Sequence, residues 1–242
     1  MDKVVITGAS SGMGRQLAKD YAKTGFQVYA CARSQKPLNT LAEESDGAIV
    51  PIVVDVSSKE EVAERFDQLS GIDVIILNAG TCEYVDINNF DSTLFERVFQ
   101  VNFFGVIYCV EALLPKLNKG GKIVIVGSMA RLLPFTRSEA YGSSKAAIDY
   151  FTKSLSVDLS DRDIKVISVD PGFVKTPLTD KNDFSMPFLV SVEYASKVII
   201  EKVSKGSLFI SFPRRLSWIL SFCHLLPSRV QRKMCIWMKE NQ

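Results

Sequence analysis

Six short apolar runs rich in β-branched residues punctuate the chain: Lys3 to Thr7, Phe26 to Ala32, Ala48 to Asp55, Asp73 to Leu77, Lys122 to Val126 and Lys165 to Val169. None alternates apolar with polar positions, which is the pattern of strands covered on both faces in a parallel sheet. Between them lie segments of helical length, Met13 to Thr24, Pro37 to Glu44, Lys59 to Leu69, Leu94 to Leu117 and Glu139 to Leu159. Pro37 suits a first helical turn, and Ser57 or Ser58 ahead of Glu60 and Glu61 supplies a cap and acidic charge at a helix start. A last short strand is predicted over Ser207 to Ser211. Strand alternating with helix predicts an α/β class fold, a doubly wound parallel sheet with helices on both faces.

Composition narrows this picture. With 242 residues, 47% apolar and 23% charged, the chain has the balance of a globular protein and not of a disordered or fibrous one. A domain of this length buries roughly 70–75% of its unfolded surface, so it needs neither disulfides nor metal to hold together. The five cysteines, Cys31, Cys82, Cys109, Cys223 and Cys235, form no C-x-x-C pair and sit mostly in apolar stretches, so they read as reduced and structural. A strand begins at the first residues with no charged, then apolar, leader ahead of it, which predicts a cytoplasmic protein. Net charge is only +2, too small to make nucleic acid a partner. Its distribution is uneven. Pro213 to Gln242 holds six basic residues against Glu240 alone, a net +5, and residues 1–212 carry −3.

The first strand runs into Thr7-Gly8-Ala9-Ser10-Ser11-Gly12-Met13-Gly14, which opens an amphipathic helix. Glycines allow a sharp turn and close approach of backbone to a phosphate, at which the helix N-terminus aims free N–H groups. At the first strand-to-helix junction of such a pattern this predicts a Rossmann-type nucleotide site. The turn resembles the T-G-x-x-x-G-x-G form of the short-chain dehydrogenase/reductase superfamily. The likeness recurs in order along the predicted elements: Asp55-Val56 after the third strand, Asn78-Ala79-Gly80 after the fourth, Asn102, Ser128 at the end of the fifth, Tyr141-x-x-x-Lys145, and Pro171-Gly172 with Val174 and Thr176 after the sixth. These positions cover residues 3 to about 176. Leu77 and Met13 depart mildly from the family's usual Asn and Ile.

In a dinucleotide fold, the end of the second strand meets the adenosine ribose, where an acidic residue suits NAD and a basic one the 2′-phosphate of NADP. Here Ala32 stands where NAD-preferring relatives carry Asp, and Arg33 follows. NADP(H) is therefore the expected cofactor, with Ser10, Ser11 and Ser34 as further donors; a solvated Arg33 and an NAD enzyme are the alternative. The resemblance implies that Gly8, Ser10, Ser11, Met13 and Gly14 hold the phosphates and that Asp55 and Val56 flank the adenine. It implies that Asn78, Ala79 and Gly80 support the ribose, and that Pro171, Gly172, Val174 and Thr176 hold the carboxamide end.

Tyr141 and Lys145, four apart on a helix, share a face. A tyrosine with pKa about 10 is a poor acid–base catalyst near neutrality, and an adjacent ammonium favours its phenolate. Ser128, at the C-terminal end of a parallel strand, is placed to donate to a carbonyl oxygen gaining charge. The resemblance adds Asn102 as the residue that fixes a water leading from Lys145 to solvent, and Lys145 as a donor to the nicotinamide ribose. His224 is the only histidine and has no ligand cluster around it, and Ser128 is not in G-x-S-x-G, so neither metal chemistry nor a Ser-His-Asp hydrolase is expected. The reaction implied is hydride transfer between NADP(H) and a small-molecule carbonyl or alcohol. A nucleotide-sensing protein without catalysis is the competing class, against which the proton donor argues.

Two segments remain. The loop Pro177 to Val190, with Phe184, Met186, Pro187 and Phe188, falls where the family's substrate lid lies, and its apolar content predicts an apolar substrate. Residues 213–242 extend the domain formed by residues 1–212. Leu216 to Leu226 is apolar but too short to span a bilayer, and Ser228 to Lys239 sets Val230, Met234 and Trp237 against Arg229, Arg232 and Lys233. Two readings stand for this helical extension: a peripheral contact with a membrane surface, or a cover over the lip of the active site or between copies in a homo-oligomer.

Overall fold

The computed structural model describes residues 1–241. Its core is one parallel sheet of seven strands: β1 (Lys3–Thr7), β2 (Gln27–Ala32), β3 (Ile49–Val53), β4 (Ile72–Leu77), β5 (Leu117–Val126), β6 (Lys165–Pro171) and β7 (Phe209–Phe212). They lie in the order β3-β2-β1-β4-β5-β6-β7, so the chain first builds outward from β1 and then returns to β1's other side. Successive side chains of a strand point to opposite faces, and the two faces take different helices. Val4, Ile6, Val28, Ile76, Val124 and Ile167 pack under α1 (Gly12–Lys23), α2 (Gln35–Glu43) and α7 (Val192–Ser204). Val5, Cys31, Ile75, Leu77, Ile123 and Ile125 pack under α3 (Lys59–Asp67), α5 (Gly105–Leu113) and α6 (Glu139–Asp158). The doubly wound fold expected from the sequence is the one formed, with Ser58 capping α3 by accepting from the Glu61 N–H at 3.2 Å.

Four features differ from the sequence-based expectation. The run at 48–55 is not covered on both faces: β3 is the sheet edge, burying Ile49 and exposing Val53, and Pro51 is tolerated there because an edge strand can spare a donor. The predicted helix 94–117 starts earlier, as α4 (Ser92–Phe99) capped by Asp91, and passes through a π-helical turn at Gln100–Phe104 into α5. It ends at Lys116, and β5 begins at Leu117, five residues before the predicted strand. This 25-residue stretch, Ser92–Lys116, is long and apolar enough to cross a membrane, yet Val106, Cys109, Val110 and Leu113 pack into the core. The helix α7 was not predicted, although Ala195, Ile199 and Val203 recur at four-residue spacing and Ser191 caps its start. Finally, β6 runs on through Pro171, and β7 sits two residues later than expected at its start.

The extension forms two helices, α8 (Arg214–His224) and α9 (Ser228–Glu240). Leu216 packs with Met129 and Leu132, and Cys223 and Cys235 pack with Leu133. The His224 Nδ1–H donates to the Leu132 carbonyl at 2.7 Å, which gives the lone histidine a structural partner.

Candidate active site

Strand ends β1 and β4 are adjacent while their following segments diverge, and a cleft of about 610 Å³ opens between them. The buried Thr7 hydroxyl accepts from the backbone N–H groups of Asn78 and Ala79, each at 3.0 Å, and the Asn78 amide donates to the Thr7 carbonyl at 3.0 Å. These bonds fix the floor of the cleft. Gly8 turns at φ +69°, and a Cβ there would lie 2.9 Å from the Ala79 Cα. A side chain at Gly14 would strike the Gly8 carbonyl. No side chain caps α1, so its first N–H groups face the cleft unspent. That cradle fits a dinucleotide pyrophosphate.

The cleft is lined by Gly8, Ser10, Ser11, Met13, Arg33, Asp55, Val56, Asn78, Ala79, Gly80, Ser128, Tyr141, Lys145, Pro171, Gly172, Val174 and Thr176. Of the predicted cofactor residues, Gly14 stands behind the lining and acts through close packing on Gly8. Asp55 accepts from the Ser57 N–H at 2.9 Å and its hydroxyl at 2.7 Å, so part of its carboxylate is spent on its own turn. Arg33 is exposed at the rim, and Ala32 is buried.

Tyr141 and Lys145 leave the same face of α6. The Lys145 ammonium is buried, donates to the Val126 carbonyl at 2.9 Å, and lies 5.8 Å from the centre of the Tyr141 ring. Burial pulls Lys145 down to about 8, against the pull of Asp170. Burial also pushes the Tyr141 phenol up to about 12, which the neighbouring Ser128 hydroxyl partly offsets. Asn102 sits in the π-helical turn. Its oxygen accepts from the Thr81 N–H at 2.8 Å, and its amide donates to the Thr81 carbonyl at 2.9 Å and to Ser144 at 3.0 Å. The side chain thus clamps the segment after β4 to α6.

A second, smaller cavity of about 230 Å³ adjoins the cleft and is mainly apolar. Ser128, Tyr141, Pro171 and Gly172 line both. Phe184 and Pro187 of the predicted lid reach it, whereas Phe188 is exposed at φ +59° and Met186 instead accepts from Asn182. Sequence reasoning missed the walls that follow β4 and β5, while those from the extension are what its reading as a cover over the lip of the site implied. Cys82 and Tyr84 follow β4; Met129, Phe135 and Arg137 follow β5; Leu216, Leu220, Cys235 and Met238 come from α8 and α9. The extension is therefore a wall of the site. Tyr84 donates to Asn182 at 2.5 Å, under the Arg137 guanidinium at 5.0 Å from its ring centre, and Arg137 pairs with Asp183.

Also missed was a buried ion pair behind Lys145. Arg131 reaches Asp170 at 2.6 Å and Asp149 at 3.3 Å. Burial raises the Asp170 carboxyl, and Arg131 opposes the rise. The other Asp170 oxygen has no partner and lies against Gly127, where any side chain would strike it. Only the fold brings residues 131, 149 and 170 together, so spacing carried no signal of them.

Residues 2–185 match the short chain dehydrogenase family. An 11-beta-hydroxysteroid dehydrogenase-like 2 of Arabidopsis thaliana is 31% identical over 94% of this chain and 78% of its own. Among solved structures, a short chain dehydrogenase/reductase from Burkholderia phymatum in complex with NAD superposes with a TM-score of 0.83 at 20% identity, covering 92% of each chain. A short-chain dehydrogenase from Sphingobium yanoikuyae in complex with NADPH gives 0.80 at 24%, covering 88% of this chain and 89% of that one. The chain belongs to the short-chain dehydrogenase/reductase superfamily, and it is an oxidoreductase of the carbonyl and alcohol group with a nicotinamide cofactor.

The ion pair yields a stability prediction. Arg131→Met leaves Asp170 buried without its cation and is expected to cost about 3–5 kcal/mol at neutral pH, read from urea unfolding. Because the unpaired carboxyl holds its proton more tightly folded than unfolded, the variant should recover part of that loss as pH falls toward 5. A loss below about 1 kcal/mol, the range of exposed pairs, would contradict the buried pairing.

Proposed function

We propose that this protein is an NADP(H)-dependent oxidoreductase that interconverts a ketone or aldehyde and an alcohol on an apolar substrate. The observation that carries the reading is the wall shared by the two cavities. Ser128 and Tyr141 line both the nucleotide cleft and the apolar pocket, so one hydroxyl and one phenol meet whatever bridges cofactor and substrate. The cofactor supplies the hydride, from C4 of its reduced nicotinamide. With its phenol pushed up to about 12, Tyr141 keeps its proton through the neutral range and is the donor to the carbonyl oxygen during reduction. Ser128 steadies that oxygen by donating a hydrogen bond. Lys145, at about 8, is the group beside it that gives up a proton most readily, and it restores the one Tyr141 loses, while Asn102, bonded to Thr81 and Ser144, positions the helix that carries both.

Three features support NADP(H) over NAD. Ala32 ends β2 without a carboxylate, Arg33 stands exposed at the rim, and Ser10 and Ser11 line the same cleft. Solved chains of this fold are found with NAD and with NADPH, so the fold does not select the cofactor and these residues do. Apolar substrates are favoured by Phe135, Phe173, Phe184, Leu216 and Leu220 around the second cavity.

Tyr141→Phe should lower kcat for carbonyl reduction by on the order of 10²–10⁴, with cofactor affinity nearly unchanged in fluorescence titration. A loss under about tenfold would remove Tyr141 from the proton-transfer step. The unaltered protein should show a higher kcat/KM with NADPH than with NADH, and Arg33→Ala should erase most of the difference. Equal values for the two cofactors in the unaltered protein would refute the NADP assignment.

A further inference from the structure

We propose that α8 and α9 form a docking surface for an anionic phospholipid bilayer, placing the wall of the apolar pocket at the membrane. Their inner faces are committed: Leu216, Leu220, Cys235 and Met238 line the pocket. Their outer faces have the character of an interfacial element. Along α8 and at its C-cap, Trp218, Phe222 and Leu225 recur at spacings of four and three residues and are 70%, 66% and 82% exposed. In α9, Trp237 is 65% exposed beside Ile236, and Val230 lies seven residues back on the same face. Large apolar side chains left this open on a folded surface mark a contact site.

The charge of this surface selects the occupant. Arg214, Arg215, Arg229, Arg232, Lys233 and Lys239 are all exposed, and none has a carboxylate partner among the described residues. Arg214 lies 5.8 Å from the Trp218 ring centre, so cation and aromatic ring are presented together. A second copy docking through the same face would set +5 against +5, which repels, whereas lipid phosphates and carboxylates neutralise it. Tryptophan and basic side chains interleaved on amphipathic helices suit the headgroup boundary, where apolar rings enter and cations stay wet. The surface is also held firmly. Gln231 donates to the His224 and Leu226 carbonyls at 2.9 and 2.8 Å and closes the corner between the helices, and His224 ties α8 to the segment after Ser128.

The chain supplies its own probe, because Trp218 and Trp237 are its only two tryptophans. The full chain is mixed with phosphatidylcholine vesicles with and without phosphatidylserine, and binding is read by flotation and by tryptophan emission. Emission should shift to the blue with phosphatidylserine at low salt and return as salt rises. Arg229→Gln with Arg232→Gln and Lys233→Gln should weaken vesicle partitioning about tenfold or more while leaving the melting curve in place. Trp218→Ser with Phe222→Ser should abolish partitioning by removing the inserted groups. Failure to float at low salt overturns the proposal, and so does binding indifferent to phosphatidylserine or to the three Gln substitutions. A concentration-dependent dimer that buries these tryptophans in the absence of lipid also overturns it, in favour of a second copy. No readout uses turnover, so the outcome is separable from that of the reductase reading.

Discussion

Much of this molecule depends on a small set of hydrogen bonds at one seam. The Thr7 hydroxyl, bonded to the Asn78 and Ala79 backbone, and the Thr7 carbonyl, bonded to the Asn78 side-chain amide, join the ends of β1 and β4, the two strands between which the chain reverses its progress across the sheet. On one side of the seam the glycine turn leads to α1, and on the other the Asn78 to Thr81 segment leads toward the apolar pocket. The bonds are buried at strand ends, where an unpaired group would be costly, so they hold the two walls at a fixed separation. Asn102 repeats the arrangement one step further out by clamping Thr81 to the α6 helix that carries Tyr141 and Lys145.

The chemistry follows from what that scaffold buries. An enclosed phenol and an enclosed ammonium both lean toward their neutral forms, so burial raises the Tyr141 pKa and lowers that of Lys145, and the lysine becomes the stronger acid of the two. The Arg131–Asp170 pair behind them keeps a negative charge near Lys145 and partly holds its ammonium in place. The extension closes the other side, so the apolar pocket is bounded by side chains from both ends of the chain's second half.

The fold was legible because its signals are local. Apolar runs, the Gly8 to Gly14 turn and the four-residue step from Tyr141 to Lys145 are each read within a few residues. What escaped was set by long-range packing. The edge position of β3 depends on strand order, and the Arg131–Asp170 contact on a meeting across the β5–β6 boundary. For the extension, a cover over the site was one of two readings, and which side chains form the wall, Leu216, Leu220, Cys235 and Met238, depends on how α8 and α9 fold back. In the lid, composition named Phe184, Pro187 and Phe188 alike, and only backbone geometry turns the first two inward and the third outward. The helix α7 is the exception, since its four-residue apolar repeat was present in the sequence.

The central claim is a direct hydride transfer at the wall shared by the two cavities, with the proton coming from Tyr141. Its most direct test is reduction of a panel of apolar ketones and aldehydes with NADPH deuterated at C4, the product alcohols being read by NMR. The account predicts deuterium on the carbinol carbon of the alcohol, carried from one face of the nicotinamide. NADPH that stays unoxidised across the panel, or carbinol hydrogen drawn from solvent, would contradict it.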